Sequence, residues 1–311
     1  MNNCNLELLP NLFIPGAGKS GTSSLHGYLD SHPQISMSTV KEPHFWSDPK
    51  FNTLGNNEFE AYQSLFNSDS KIRGESSTGY LFFEDFIVNI KKYYSTSPKF
   101  IIVLRNPIDR LYSHYWWLRG IGSETSSFKE AVLKDFDITP HQSLQLPEHH
   151  YKNYYQFGLY GKQIQKFYKN FGKDNIHIIT SELLSSQTLE TINSCFSFLG
   201  VESLNNIQVQ KSNTTIILRY PWIYKNIKKA ALRKSKLKQV LKPVFPKAIR
   251  KELNENLYPL VYKLTATKKK YPELSQKDRQ WIKELYFNDI SLLKTITNMD
   301  FQEWEDFLPN K

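Results

Sequence analysis

The stretch Phe13-Ile14-Pro15-Gly16-Ala17-Gly18-Lys19-Ser20-Gly21-Thr22-Ser23-Ser24-Leu25 concentrates the residue types that bind anions. An apolar run, Leu12 to Ile14, can end a buried strand, and the glycines then allow the backbone to approach a ligand closely. Thr22, Ser23 and Ser24 are placed to cap a helix continuing through Leu25 to Leu29. Unsatisfied N–H groups and the positive end of the dipole make a helix start a cradle for phosphate or sulfate. Lys19 adds a point charge there. A second constellation lies in Leu104-Arg105-Asn106-Pro107-Ile108-Asp109-Arg110-Leu111-Tyr112-Ser113. An Arg fork at a strand end and a hydroxyl two turns into the next helix can converge on a second anion. The alternative for Arg105 is a salt bridge to Asp109. A third group, Lys41-Glu42-Pro43-His44-Phe45, offers a carboxylate base and a histidine in a loop that Pro43 is expected to keep extended.

Gly18-Lys19-Ser20 matches the end of the nucleotide-binding pattern G-x-x-x-x-G-K-[ST], but Phe13 stands where its first glycine belongs. A kinase or ATPase would more often end the neighbouring strand in an Asp that helps hold Mg²⁺; here the strand ends in Arg105. Two separate anion sites without such a carboxylate point to a nucleotide carrying two well-separated anionic groups, and no metal site is expected. A P-loop kinase is the alternative enzyme.

These groups need a scaffold. Lys71 to Gly74 reads as a short strand followed by a polar turn, Glu75 to Tyr80, and Gln34 to Met37 as another strand. Phe100 to Leu104 and Ile176 to Ile179 are unbroken apolar runs of the kind found in parallel strands buried on both faces. Helices are expected at Glu58–Phe66, Phe82–Tyr94, 107–118, Gly158–Phe171 and Thr188–Leu199, the last stopped by Gly200. Alternating strands and helices predict an α/β fold: a P-loop-like parallel sheet flanked by helices on both faces. Ligands of such sheets sit beyond the carboxyl ends of the strands, where the glycine loop, Glu42, Glu75, Arg105 and Glu182 all fall. A basic, mainly helical C-terminal extension follows, with a Ser275–Asp278 cap before a helix from Lys277 to Ile296 and a tail anchored by Phe301 and Trp304. The whole chain, 1–311, is read as one domain: a body over 1–200 and an appendix over 201–311.

The 311 residues carry 40 basic and 30 acidic side chains, a net +10. Twelve Lys or Arg and no Asp or Glu lie between Arg219 and Lys251, so the rest of the chain is 28 against 30. That segment suits a polyanion or an anionic membrane surface, giving a non-catalytic binding protein as a further alternative and peripheral membrane contact as an expectation. No nucleic acid partner is expected. Cys4 and Cys195 make no disulfide framework, and no secretory leader or membrane span is visible, so the expected compartment is the cytoplasm.

The ordered motifs Gly18 to Leu25, Lys41 to Phe45, and Arg105-Asn106-Pro107 with Tyr112-Ser113 resemble the signatures of sulfotransferases that use 3′-phosphoadenosine 5′-phosphosulfate (PAPS), most closely the heparan-sulfate-type branch and its bacterial relatives. The resemblance implies PAPS as co-substrate and a hydroxyl or amine acceptor, with a carbohydrate expected. By position, Lys19 would bridge the 5′-phosphate and the departing sulfuryl group. Gly18, Ser20, Gly21, Thr22 and Ser23 would hold the phosphosulfate, and Arg105 and Ser113 the 3′-phosphate. Glu42 would be the base, with a pKa raised by partial burial, and His44 would line the acceptor pocket. Lys41, Glu75 and Ser76 would complete the acceptor side, and Lys211-Ser212-Asn213 would close over the cofactor. Ser76 stands where heparan-type members often have lysine, Gly18 where neighbours often have a bulkier residue, and only Lys211 of its loop matches the family pattern.

Overall fold

The computed structural model describes residues 8–67, 69–140, 142, 151–208, 217–218, 266–267 and 271–309. Five strands form one sheet: β1 (Leu12–Ile14), β2 (Ile35–Met37), β3 (Ile72–Ser76), β4 (Lys99–Leu104) and β5 (Ile176–Thr180). Their order is β2-β3-β1-β4-β5, and every pairing is parallel.

The strand side chains sort by parity, as a period of two requires. Phe13, Phe100, Ile102 and Leu104 enter one core, and Leu12, Ile14, Ile101 and Val103 enter the other. The first core is covered by α3 (Glu84–Tyr93), α4 (Pro107–Gly120), α6 (Tyr160–Phe171) and α9 (Gln276–Thr297), through residues such as Phe86, Leu111, Phe167 and Ile290. The second is covered by α1 (Thr22–Asp30) and α8 (Thr188–Leu199), through Leu25, Leu29, Ile192 and Phe196. The expected sheet, helical on both faces, is present, as is a helical C-terminal region.

Several boundaries differ from expectation. β3 runs through Glu75 and Ser76, which were read as the start of a polar turn. Two further helices, α5 (Phe128–Asp135) and α7 (Ser181–Ser186), were not anticipated, and α2 covers Asn56–Gln63 rather than Glu58–Phe66. Ile207 to Ile217 reads in the sequence as a loop, but Ile217 and Leu218 form β6, which pairs with β7 (Ala266–Thr267) in an antiparallel ribbon.

α9 is capped by Ser275, whose side chain accepts from the Asp278 N–H, and its Asp289 in turn accepts from the first-turn amides of α6, Gly161 (2.8 Å) and Lys162 (3.1 Å). Phe301 and Trp304 are buried and stacked on each other. These contacts fasten the C-terminal helix to the sheet-bearing body. Among the described residues no helix is long and apolar enough to cross a membrane. The basic 219–251 segment lies outside the described residues.

Candidate active site

The glycine loop leaves β1 under tight control. Its Ala17 N–H donates to Val103 O (2.7 Å), Val103 N–H donates to Gly16 O (2.9 Å), and Leu81 N–H donates to Pro15 O (2.8 Å). The loop then enters α1 through Gly21, at φ +91°, a conformation L side chains rarely adopt. This corrects the expected cap. The N-cap is Gly21, with no side-chain cap, and Thr22, Ser23 and Ser24 belong to the first helical turn. The Ser24 and Leu25 amides donate to Gly21 O, which leaves the Thr22 and Ser23 amides at the open end of the helix.

Lys19 also has a left-handed backbone, φ +69°. Its ammonium lies 5.3 Å from the centre of the Trp117 ring. Burial, then the Arg105 charge and to a lesser degree Lys41, lower its pKa to about 8, with Glu42 opposing them. Arg105, at the end of β4, donates to Lys19 O (3.3 Å). The neighbouring Asn106 is fixed on three sides: its N–H donates to Glu182 (3.0 Å), its amide to Asp306 (2.7 Å), and its carbonyl accepts from Ile108 N–H. Asp109, the alternative partner for Arg105, is engaged by Arg279 at 2.8 Å. Arg105 opens onto a polar cleft of about 460 Å³ lined also by Asp109, Tyr112, Tyr271, Arg279 and Asp306. Ser113 is 3% exposed within α4 and does not line that cleft.

The loop after β2 brings Lys41, Glu42 and His44 to the same edge. Glu42 N–H donates to Ser76 O (2.9 Å), and the Glu42 carboxylate meets Lys41 at 2.6 Å and His44 Nε2 at 3.3 Å. Three expectations are corrected here. The loop is not extended: Glu42 and His44 sit at φ +58° and +52°. The Glu42 pKa is not raised; burial pushes it up, but the His44 hydrogen bond and the Lys41 charge outweigh that and hold it at about 2. His44 does not line an open pocket: it is 2% exposed, with its ring edge-on to Tyr80 and Tyr151.

Glu75 and Ser76 also depart from the acceptor-side role. Both are fully buried on β3. Glu75 accepts from Ser77, Tyr62 and Tyr80, and Ser76 Oγ is bonded to His26 Nδ1 at 2.9 Å. Lys211, Ser212 and Asn213 lie outside the described residues. Sequence reasoning gave no site role to His26, which follows Leu25 on α1, or to Trp117, whose ring lies beside the Lys19 ammonium; neither stands in a recognisable spacing. It also gave no role to Arg279 and Asp306, which pair across 27 positions and are brought together only by the fold. Among the described residues no group of three or more His, Cys, Asp or Glu could hold a metal ion.

A half-buried lysine, an arginine and an open helix start gather around one loop, with a carboxylate and a histidine at the same sheet edge, an arrangement chemically able to receive an anionic group. Residues 9–259 match the family model for the sulfotransferase domain, and the chain belongs to that family. Carbohydrate sulfotransferase 15 of Mus musculus is 25% identical over 256 residues, covering 65% of this chain and 46% of the relative. The bifunctional heparan sulfate N-deacetylase/N-sulfotransferase 2 of Homo sapiens is 26% identical over 221 residues, 64% of this chain and 23% of that protein. The chain thus spans less than half the length of these curated relatives. The crystal structure of a sulfotransferase from Alicyclobacillus acidocaldarius shares the fold, with a TM-score of 0.65 and 23% identity over 96% of this chain and 99% of that one.

Proposed function

We propose that this chain moves the sulfuryl group of PAPS to a hydroxyl or amine acceptor, with a carbohydrate as the favoured class. The observation that carries the reading is the excess of cationic character around the glycine loop. Lys19 lies beside Arg105 and Lys41 at an uncapped helix start, and burial, then the Arg105 charge, lowers its pKa to about 8. A donor set of that kind fits a ligand with several anionic oxygens, because the ligand supplies the negative charge that the cluster lacks. The carbohydrate class rests on the names of the relatives, carbohydrate sulfotransferase 15 and heparan sulfate N-sulfotransferase 2.

When bound, PAPS supplies an activated sulfuryl group on a phosphate leaving group. In this reading the Lys19 ammonium neutralises charge developing on that phosphate, while the Gly18–Gly21 backbone and the Thr22 and Ser23 amides and hydroxyls orient it. Arg105 would hold the 3′-phosphate, and Ser113, buried within α4 and not lining the cleft, would reach it only if the α4 side chains rearranged on binding; the role expected of Lys211, Ser212 and Asn213 over the cofactor falls outside the described residues. Glu42 takes the acceptor's proton. Its partners His44 and Lys41 keep it a weak base, so an acidic group on the acceptor that drew Lys41 away would recover part of its basicity. His44 stays hydrogen-bonded to Glu42 and orients the carboxylate.

Calorimetry in EDTA tests the cofactor assignment. 3′-Phosphoadenosine 5′-phosphate should bind without metal, and Arg105→Ala should weaken it by ~2–4 kcal/mol, the scale for truncating one partner of a charged hydrogen bond. Adenosine 5′-phosphosulfate, which lacks the 3′-phosphate, should be almost indifferent to that change. Tighter, Mg²⁺-dependent binding of ATP, or equal losses for both nucleotides, would overturn the assignment.

A further inference from the structure

The buried carboxylate of Glu75 takes no part in the steps above, yet it is the end point of a directed hydrogen-bond array. Glu75 is 0% exposed and stands in register with Phe13 of the strand that launches the glycine loop. Ser77 Oγ lies 2.5 Å from its Oε1; Tyr62 Oη and Tyr80 Oη lie 2.5 and 3.3 Å from its Oε2. Each of these hydroxyls has a second neighbour. Ser77 Oγ receives the His44 N–H (3.1 Å), Tyr80 Oη the Trp46 N–H (3.1 Å), and Tyr62 Oη the Trp46 indole N–H (2.8 Å).

Backbone and indole N–H groups can only donate. Each hydroxyl therefore accepts from residue 44 or 46 and spends its own proton on Glu75. Three relays run the same way, from the segment His44–Trp46 through three hydroxyls to one carboxylate. An acceptor-only group is what such an array demands. A glutamine amide would turn a donor toward at least one hydroxyl, and an apolar residue would strand all three, each buried unsatisfied group costing about 1–3 kcal/mol. Burial raises the Glu75 pKa, while the bonds from Ser77, Tyr62 and Tyr80 act against that rise.

The segment held in this way is the one that carries the reacting carboxylate. Glu42 and His44 both have left-handed backbones, which persist only where the surroundings impose them. We propose that Glu75 is the positioning residue of this site: through Ser77, Tyr80 and Tyr62 it fixes the turn from Glu42 to Trp46 so that His44 is set against the Glu42 carboxylate. The catalytic consequence rests on reading Glu42 as the base; the structural one does not.

Glu75→Gln, Ser77→Ala and Ser77→Thr in the full chain test it, with thermal unfolding to establish that each variant is folded. Ser77→Ala removes only the relay to His44, so it decides the matter if Glu75→Gln does not fold. The expected result is a fall in kcat of at least ~10-fold for Ser77→Ala and Glu75→Gln, because small misplacements of a reacting group cost 10–100-fold. The Kd for 3′-phosphoadenosine 5′-phosphate should stay within about threefold, since no relay touches the glycine loop, and Ser77→Thr should restore kcat. The ¹H–¹⁵N resonance of the His44 amide should move in Ser77→Ala and return toward its original place in Ser77→Thr. Unchanged turnover in Ser77→Ala, or losses of turnover, affinity and melting temperature in proportion, would overturn the proposal. Should the unmodified protein transfer no sulfuryl group at all, the function is misassigned, and the amide resonance alone then decides: an unmoved His44 signal in Ser77→Ala refutes the positioning role.

Discussion

Raising the pH through 8 should loosen the grip of this site on 3′-phosphoadenosine 5′-phosphate, and the size of the effect follows from Lys19. Its pKa of about 8 results from burial beside Arg105, so the ligand-free protein loses this positive charge early. An anionic ligand favours the protonated ammonium and pulls the pKa back toward the ordinary 10.5. The sign is then fixed. Affinity is fully present below pH 8 and declines as pH rises through it, because binding above pH 8 must first take up a proton. About nine-tenths of the free lysine is protonated at pH 7 and about one-tenth at pH 9, so Kd should rise about tenfold between them, or about 1.4 kcal/mol. Calorimetry in buffers of different ionisation enthalpy should detect uptake of about 0.9 proton at pH 9 and about 0.1 at pH 7. Lys19→Arg, which stays charged throughout, should flatten the curve. A Kd independent of pH from 7 to 9, with no buffer dependence of the heat, would refute the placement of Lys19 against the ligand's phosphate.

Glu42→Gln should lower turnover by at least ~10²-fold, the scale for losing a general base, with nucleotide affinity within a few-fold; an active Glu42→Gln beside an inactive His44→Ala would move the base to the histidine. Gly161→Ala tests the docking of α9. A methyl there would lie 2.3 Å from Asp289 O and 3.1 Å from Leu293 N, backbone atoms that cannot swing aside. Overpacking of this kind costs ~1–3 kcal/mol, so the melting temperature should fall by several degrees, and an unchanged one would mean that the two helices are not held this closely.

The parallel sheet was legible because its strands announce themselves. Phe100 to Leu104 has no polar residue to suggest anything but a strand buried on both faces, and Phe13 and Arg105 mark where β1 and β4 deliver their loops. Legibility failed where a residue's environment comes from elsewhere in the chain. Glu75 and Ser76 are polar and follow a glycine, so locally they read as a turn; parallel pairing with Phe13 and Ile14 of β1 makes them strand, and Tyr62 and His26 from other elements satisfy their side chains. The same applies to Glu42: its sequence shows an extended residue before a proline, whereas the relays on His44 and Trp46 accompany a left-handed turn. α5 carried a usable signal that went unread. Ser127 and Glu130 form a capping box in front of Phe128. The pairing of Arg279 with Asp109 and Asp306 had no such signal, since one partner is set by how α9 lies against α4 and the other by how the tail after α9 folds back on it.

The ribbon of Ile217–Leu218 against Ala266–Thr267 brings the two ends of a long excursion side by side. The pairing closes one loop of chain between Leu218 and Ala266. Chain-closure entropy grows only logarithmically, about 0.6 kcal/mol for each doubling of length. By this entropy alone, halving or doubling the length of that loop changes the cost of closing the ribbon by about 0.6 kcal/mol. The strand pairs that lead to Lys19 and Arg105, β1 with β3 and β1 with β4, are built from residues outside that loop.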